Sequence, residues 1–239
     1  MEKLSSSNPV PGVCELRQRI GIIKENIHTA ALAGGFDPAA VRLMAVTKTV
    51  PAGTINAAIE AGIDLIGENR EQSLSGKYDE IRRDGVEIHF IGHLQRNKAA
   101  RVVKMVDCVQ SLDSIALAKE LDKQAAAIGK QLQVLVEVNI GQDPNKSGVH
   151  PDAGREFVDA LRELPSLSVR GLMTILPLEC TTLQMEKYFS QIHALYVDIR
   201  AQNRDNVCMD CLSMGMSGDY KLAVKHGATM VRLGTVLFR

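Results

Sequence analysis

The chain has 239 residues, enough to bury the core of one large α/β domain or of two small ones. Its 28 lysines and arginines equal its 28 aspartates and glutamates, so no global field favours nucleic acid or an anionic membrane. The first residues lack the apolar core of a signal peptide, and no later apolar run approaches the length of a membrane span. We therefore expect a cytoplasmic protein with neither a nucleic-acid nor a membrane partner.

The cysteines do not indicate a disulfide framework, because they are five in number and scattered along the chain. Cys208 and Cys211 have the spacing of a redox or zinc motif, but no second pair or histidine accompanies them. Cys211 falls in an apolar run, where it packs as a small hydrophobe. We assign no metal site.

Strand and helix patterns alternate from the first third of the chain to its end. An amphipathic helix, Val13–Ala33, comes first, and Gly34 and Gly35 stop it. Short apolar runs then predict eight strands: Leu43–Thr47, Asp64–Gly67, Ile88–Gly92, Cys108–Ser111, Gln133–Asn139, Ser168–Ile175, Cys211–Met214 and Met230–Leu233. Helical spacing between them predicts helices at Ala52–Ala61, Gln72–Arg82, Asn97–Val106, Ser114–Ile128, Pro151–Glu163, Thr182–Gln202 and Gly218–His226, with Asp113 and Thr181 as N-caps.

This alternation predicts a parallel sheet covered by helices, and eight strands favour closure into a single TIM-type (β/α)8 barrel over an open sheet. The last strand ends only a few residues before Arg239, the last residue given, so we expect no eighth helix after it. The extra N-terminal helix would then cover the flank that the eighth helix leaves bare. No linker or low-complexity tract divides the chain, so we expect residues 1–239 to form one domain.

Polar residues follow most of the predicted strands. In a parallel barrel the C-terminal strand ends share one rim, so these residues converge there. They are Lys48, Glu68, Asn69, His93, Gln95, Asn97, Asn139, Met173, Thr174, the stretch Ser213–Asp219 and the stretch Arg232–Thr235. The rim is therefore where we expect a functional site.

Lys48 ends an apolar strand where the barrel would open. An ammonium group gains little at the mouth of an apolar core, whereas a desolvated amine can capture an aldehyde as a Schiff base. The alternative is a lysine whose charge simply reaches solvent from the strand end. The remaining rim residues have to decide between the two.

The loops after strands seven and eight predict a phosphate site. Barrels frequently bind phosphate there, because backbone N–H groups point at the anion and glycine permits close approach. Ser217 and Gly218 follow strand seven, and Gly234 and Thr235 follow strand eight. The alternative is that the glycines only permit tight turns and that Ser217 is an ordinary N-cap.

Arg232 adds a third element, because an arginine inside an apolar strand must be paired if it is buried. Its acceptor could be an acidic neighbour or a ring nitrogen. A Schiff-base lysine, a phosphate site and a cation between them match the two ends and the ring nitrogen of pyridoxal 5′-phosphate. The combination is more specific than any one part.

The same residues recur in a set of recognisable segments: Ala45–Lys48, Gly67–Asn69, His89–Lys98, Asn139–Ile140 with Lys146–Gly148, Gly171–Met173, Ser213–Asp219 and Val231–Thr235. This set closely resembles the pyridoxal phosphate homeostasis protein family, a single-domain relative of the alanine racemase barrel. The resemblance runs in family order from about residue 13 to the last residue. Three positions depart from the family pattern: Thr47 replaces a usual serine, Asp143 replaces a usual glutamate, and Arg239 follows Phe238 where the family usually has glycine.

The resemblance implies a protein that binds, buffers and supplies pyridoxal 5′-phosphate, with apo-enzymes that depend on this cofactor as recipients. It makes Lys48 the cofactor lysine, turns Arg232 toward the pyridine nitrogen and places Asn69 beside the ring. We assign cofactor binding to Lys48, Asn69, Met214, Ser217, Gly218, Arg232, Gly234 and Thr235. Four basic residues of one predicted helix we interpret as a solvated face: Arg96, Lys98, Arg101 and Lys104.

Two enzymatic alternatives stay open. A slow racemase needs a second acid/base across the ring from its lysine; His93 or Tyr220 would supply it, although His93 could equally be a capping or solvated loop residue. The alanine racemase family takes this group from an extra β-domain that the chain lacks. A cofactor-free Schiff-base aldolase would need a carboxylate beside Lys48, and Glu68 is the nearest. Because Arg232 protonates a ring nitrogen poorly, we expect a carrier and assign no catalytic residue.

Overall fold

Eight parallel strands close into one barrel in the computed structural model, which describes residues 11–202 and 206–239. Each strand pairs with its neighbours in sequence, and β1 pairs with β8 to complete the circle. The strands are β1 Arg42–Val46, β2 Leu65–Glu68, β3 Glu87–Phe90, β4 Cys108–Leu112, β5 Leu132–Glu137, β6 Leu167–Met173, β7 Val207–Ser213 and β8 Met230–Leu233. The predicted TIM-type barrel and its eight strands are confirmed.

Helices surround the barrel in the part of the chain that is described. They are α1 Val13–Gly34, α2 Ala52–Glu60, α3 Glu71–Ser75, α4 Ala99–Met105, α5 Ile115–Ala127, α6 Gly154–Ala160, α7 Thr182–Arg200, α8 Tyr220–Lys225 and α9 Thr235–Phe238. Short 3-10 helices lie at Pro38–Ala40, Tyr78–Glu80, Arg96–Lys98, Pro151–Ala153 and Leu161–Glu163. Residues 1–10, in which the sequence predicts no signal peptide, lie outside the described residues.

Several predicted helices are shorter than expected. The one predicted over Pro151–Glu163 is α6, Gly154–Ala160, with a 3-10 helix on each side. The pattern predicts a helix over Gln72–Arg82, but α3 ends at Ser75, because Gly76 has low helix propensity and caps it. The helix after β7 begins at Tyr220 rather than at Gly218. The side chain of Asp219 accepts a hydrogen bond from the backbone of Met216, which stabilises a turn there instead of a first helical turn.

The predicted N-cap Thr181 is confirmed and forms a complete capping box. The predicted N-cap Asp113 is wrong by one position, since it is Ser114 whose side chain accepts from the helix. The expectation that no helix follows β8 is also wrong, because α9 forms directly after it.

The N-terminal helix α1 packs against α8, α2 and α9, and so covers the flank that a long eighth helix would cover. Arg19 of α1 fixes α9 by donating to the carbonyl oxygen of Leu237 at 2.9 Å. The residues at the end of the chain, where the sequence departs from the family pattern, are therefore tied to the barrel.

The barrel interior differs from the layer between strands and helices. The outer layer is one large apolar core, whereas the interior holds small clusters of apolar side chains around Met44 and Leu135. Several interior side chains are polar and buried, among them His89, Gln110 and Ser213. Polar groups in this position need hydrogen-bond partners within the protein.

Candidate functional site

A cavity of about 630 Å³ opens at the C-terminal ends of the strands. Seven of the eight predicted cofactor-binding residues line it: Lys48, Asn69, Ser217, Gly218, Arg232, Gly234 and Thr235. Met214 is the exception, because its side chain is fully buried in the outer apolar core. Side chains alternate between the two faces of a strand, and the preceding Ser213 already points into the barrel. The structure therefore does not bring the side chain of Met214 to the cavity wall, unlike the other seven predicted residues.

Lys48 lies in the turn directly after β1 and its side chain is exposed on the cavity wall. The expectation that the strand end desolvates this amine is wrong, since the side chain is exposed in the open cavity. The turn is held from below by Lys77, whose Nζ donates to the carbonyl oxygens of Thr47 at 2.7 Å and Val50 at 3.2 Å. Lys48 thus presents its amine to the cavity from a fixed turn.

A buried ion pair anchors this turn to the neighbouring strand. Glu68 is fully buried, and Lys77 Nζ lies 2.6 Å from its carboxylate. The hydroxyl of Thr47 donates to the same carboxylate, so this departure from the family pattern keeps the interaction. Glu68 is not among the described residues that line the cavity. Its carboxylate is engaged behind the wall and is not presented to Lys48 as an aldolase base.

Arg232 is buried, with an exposed fraction of 3 %, and its guanidinium forms part of the cavity floor. Its Nη1 donates to Ser213 Oγ and its Nη2 to the carbonyl oxygen of Thr174, both at 2.7 Å. Burial lowers the pKa of Arg232 to about 10, with Asp219 and Glu137 opposing that shift. The guanidinium therefore stays charged at neutral pH and keeps donors available toward the cavity.

The two predicted phosphate loops are joined at Ser217. Its hydroxyl oxygen accepts from the backbone N–H of Val236 at 3.3 Å, which connects the loop after β7 to the first turn after β8. Gly215 makes the turn possible, because its φ is 94° and a Cβ there would lie 2.6 Å from the Cβ of Ala223. The interpretation of Ser217 as the N-cap of α8 is wrong, since Asp219 occupies that position.

Gly218, unlike Gly215, is not needed for its backbone conformation. A Cβ built on it would have no atom within 4 Å, and its φ is not in the left-handed region. The residue lines the cavity, so its missing side chain leaves open space at the cavity wall. This is the room that a bulky anion needs beside the backbone.

Glu137 is a cavity residue that was not among the predicted site residues. It ends β5, lines the cavity and is 9 % exposed. Burial raises the pKa of Glu137 to about 7, with a further contribution from Asp113, while Arg232 and His93 oppose the shift. The sequence feature that could have indicated this residue is a single carboxylate in the apolar run of β5. The prediction for this strand took the residue at its expected end, Asn139, instead.

The candidate bases of the racemase alternative fall in different places. His93 lines the cavity, and its Nδ1 lies 3.1 Å from Ser147 Oγ and 3.3 Å from Asp113. Tyr220 lies outside the cavity wall and is buried in α8, which packs against α1. Asn69 contributes a buried Oδ1 that has no partner among the described residues, so the cavity wall holds a polar group in need of one.

Asn139 lines the cavity and its amide donates to the carbonyl oxygen of Asp143 at 2.8 Å. Of the predicted basic face, Lys98 and Arg101 pair with Glu71 at 3.6 and 3.3 Å. Across residues 11–202 and 206–239, no helix has the length and apolar character needed to cross a membrane.

Residues 21–239 match the family model for the alanine racemase N-terminal domain, which defines the class of this barrel. A pyridoxal phosphate homeostasis protein of Aquifex aeolicus is 37 % identical over 92 % of this chain and 96 % of its own length. One from Synechocystis sp. is 40 % identical over 84 % of this chain and 92 % of its own. The chain belongs to the pyridoxal phosphate homeostasis protein family, which confirms the resemblance seen in the sequence.

A solved structure gives the same architecture. PipY of Synechococcus elongatus, solved with PLP bound, is 34 % identical and superposes with a TM-score of 0.81. The match covers 94 % of this chain and 100 % of PipY. The fold and its length are therefore shared across the whole of that protein.

Proposed function

We propose that this chain binds pyridoxal 5′-phosphate in the cavity at the C-terminal rim, holds it as a Schiff base on Lys48, and buffers and supplies it to apo-enzymes. The whole chain, residues 1–239, would act as one cofactor-binding domain in the cytoplasm. The observation that carries the proposal is the convergence of an amine, a buried guanidinium and two joined polar loops on one cavity. Relatives that bear the homeostasis name, and PipY with PLP bound, support it.

The residues fit the chemistry of this cofactor. Lys48 offers a free amine for an aldehyde, and Ser217 with the open space at Gly218 offers a hydroxyl and close backbone approach for a phosphate. Arg232 offers a fixed donor for an aromatic nitrogen, and Asn69 offers a side-chain oxygen that has no partner among the described residues. The cavity volume lies in the range that holds a small ligand.

When bound in an enzyme, this cofactor acts as an electron sink for carbanions. Arg232 opposes that use here, because a guanidinium donates a hydrogen bond to a ring nitrogen without giving up its proton. Lys48 would thus hold the cofactor with little activation. The turn that carries Lys48 opens onto an exposed rim, which leaves the bond accessible for release.

The test is to treat the purified protein with pyridoxal phosphate and borohydride and to map the reduced lysine by peptide mass spectrometry. We expect a near-visible absorbance that titrates to one equivalent and a label on Lys48. Lys48→Ala should lose both and keep its fold, since an exposed side chain contributes little packing. Labelling of Lys146, the other lysine on the cavity wall, in place of Lys48 would contradict the assignment.

Delivery is a separate part of the proposal and has its own measurement. The loaded protein should restore activity to an apo-enzyme that depends on the cofactor, and Lys48→Ala mixed with an equal amount of the cofactor should match free cofactor alone. Absence of reactivation by the loaded wild type, with the apo-enzyme competent toward free cofactor, would remove the supply role and leave binding intact.

A slow amino-acid racemase is the second candidate, and one observation favours it. Glu137 and His93 line the same cavity as Lys48, and a carboxyl with a pKa of about 7 suits general acid–base work. Exchange of the α-proton of alanine in heavy water separates the candidates. The carrier proposal expects no exchange above the free cofactor; exchange that Glu137→Gln abolishes would favour the racemase.

A further inference from the structure

A continuous chain of buried polar side chains crosses the barrel interior beneath the cavity. Arg232 Nη1 donates to Ser213 Oγ at 2.7 Å, and this hydroxyl donates to Gln110 Oε1 at 2.7 Å. Gln110 Nε2 lies 2.8 Å from His89 Nδ1, and His89 Nε2 lies 3.1 Å from Glu87 Oε2. The first four residues are 3 % exposed or less.

The two ends of this chain fix its direction. An arginine only donates, and an ionised carboxylate only accepts. Hydrogen bonding from His89, and then from Arg42, lowers the pKa of Glu87 to about 2 against the effect of burial, so Glu87 is ionised at neutral pH. The Nε2 proton of His89 then faces Glu87. Ser213 uses its hydroxyl proton on Gln110 Oε1, which turns Gln110 Nε2 toward His89 as the donor to Nδ1. Each member of the chain then has a single donor and acceptor assignment.

Side contacts lock the members in place. The second amide hydrogen of Gln110 points to the sulfur of Met230, which lies 3.1 Å from Nε2. At the far mouth of the barrel Arg42 holds both oxygens of Glu87, at 3.0 and 3.1 Å. The hydrogen bonds of Ser213, Gln110 and His89 are satisfied within the barrel, so these side chains resist rotation, because a rotated member leaves a buried group without a partner.

We propose that Ser213, Gln110 and His89 are positioning residues that hold the Arg232 guanidinium in the orientation required by the pyridine nitrogen of the cofactor. The inference rests on the proposed function and deepens it. Among the described residues, Arg232 has one other hydrogen-bond acceptor, the carbonyl oxygen of Thr174. Loss of the Ser213 hydroxyl leaves Nη1 without its acceptor and frees the guanidinium to turn away from the ring.

The test compares two buried serines changed in the same way. Ser213→Ala breaks the chain, whereas Ser111→Ala on β4 removes a buried hydroxyl that has no partner among the described residues. Each variant is titrated with pyridoxal phosphate and with its analogue that has a CH in place of the ring nitrogen. Thermal melts of both confirm folding.

The measured quantity is the ratio of the two affinities. Wild type and Ser111→Ala should prefer pyridoxal phosphate by roughly tenfold or more, since the analogue leaves the Arg232 donor unpaired. Ser213→Ala should lose most of that preference. A merely structural loss would weaken both compounds alike and keep the ratio, which would overturn the inference while the proposed function stands.

A second measurement needs no ligand and reports on the direction of the chain. The ring nitrogens of His89 are observed by 15N NMR in the ligand-free protein, with His89→Gln to assign the signals. We expect the tautomer protonated on Nε2. A neutral ring protonated on Nδ1 would overturn the inference, even if the barrel binds the cofactor. Failure of wild type to bind either aldehyde would instead overturn the proposed function, and the inference with it.

Discussion

Gly218→Ala should weaken cofactor binding without weakening the fold. No atom lies within 4 Å of the Cβ that alanine would add, and the backbone of Gly218 is outside the left-handed region. An alanine at such a position stabilises the folded state by about 0.4–1 kcal/mol, because it restricts the unfolded chain. The new methyl group would stand in open space on the cavity wall, where we propose the phosphate lies.

The size of the binding defect follows from the contact that is lost. If the methyl group prevents one charge-assisted hydrogen bond from the backbone, the affinity falls by about 1.5–3 kcal/mol, or roughly ten- to a hundredfold. Pyridoxal without its phosphate should bind the variant and the wild type alike. Stability and affinity are therefore expected to move in opposite directions.

The matched control is Gly53→Ala in α2, because an alanine Cβ at Gly53 would also have no atom within 4 Å and this glycine lies away from the cavity wall. Both variants are compared with wild type by thermal unfolding and by absorbance titration with the two aldehydes. Equal phosphate-dependent affinity in Gly218→Ala and Gly53→Ala would refute the placement of the phosphate at this loop.

Three further outcomes are expected. Lys77→Met should lower the free energy of unfolding by about 3–5 kcal/mol, because it leaves the buried carboxylate of Glu68 without its cation. Arg82→Met, which breaks an exposed pair, should change it by about 1 kcal/mol or less in chemical denaturation. Glu137 has a pKa of about 7 in the folded protein against an ordinary value of 4.5, so the folded state binds more protons than the unfolded state. The protein therefore loses stability as the pH rises from 4.5 to 7. Glu137→Gln should therefore gain up to about 3 kcal/mol over wild type at pH 8 and nothing near pH 4.5, and a pH-independent difference would contradict this. Ser217→Ala should reduce the affinity for pyridoxal phosphate roughly tenfold and that for pyridoxal hardly at all, and equal losses for both would remove the phosphate contact.

The strands and their polar ends were readable in the sequence because they depend on local pattern. Apolar runs of strand length and the helical spacing between them lead to the barrel, and strand ends on one rim lead to Lys48, Arg232 and Ser217. Those residues line one cavity in the structure. Helix ends were less predictable, because Gly76 and Ser114 act through local hydrogen bonds that compete closely with continued helix.

Met214 and Glu137 mark the limit of the local pattern. A strand pattern has a period of two, but it does not say which of two neighbouring residues faces the barrel interior. Closure of the barrel turns Met214 outward and brings Glu137 to the cavity wall. The exposed position of Lys48 also depends on tertiary contacts, since the turn that carries it is held by Lys77, 29 positions later by residue number.

The local pattern of the chain was therefore enough for the fold class and for placing most of the predicted cofactor-binding residues on the cavity wall, because strand period, turn residues and strand ends are encoded within a few positions. The polar chain from Arg232 to Glu87 could be seen only in the closed barrel. It joins Ser213 to Gln110 across 103 positions, and the register of four different strands decides that their side chains meet. Contacts of this kind arise from strand pairing and closure, which no short stretch of sequence specifies.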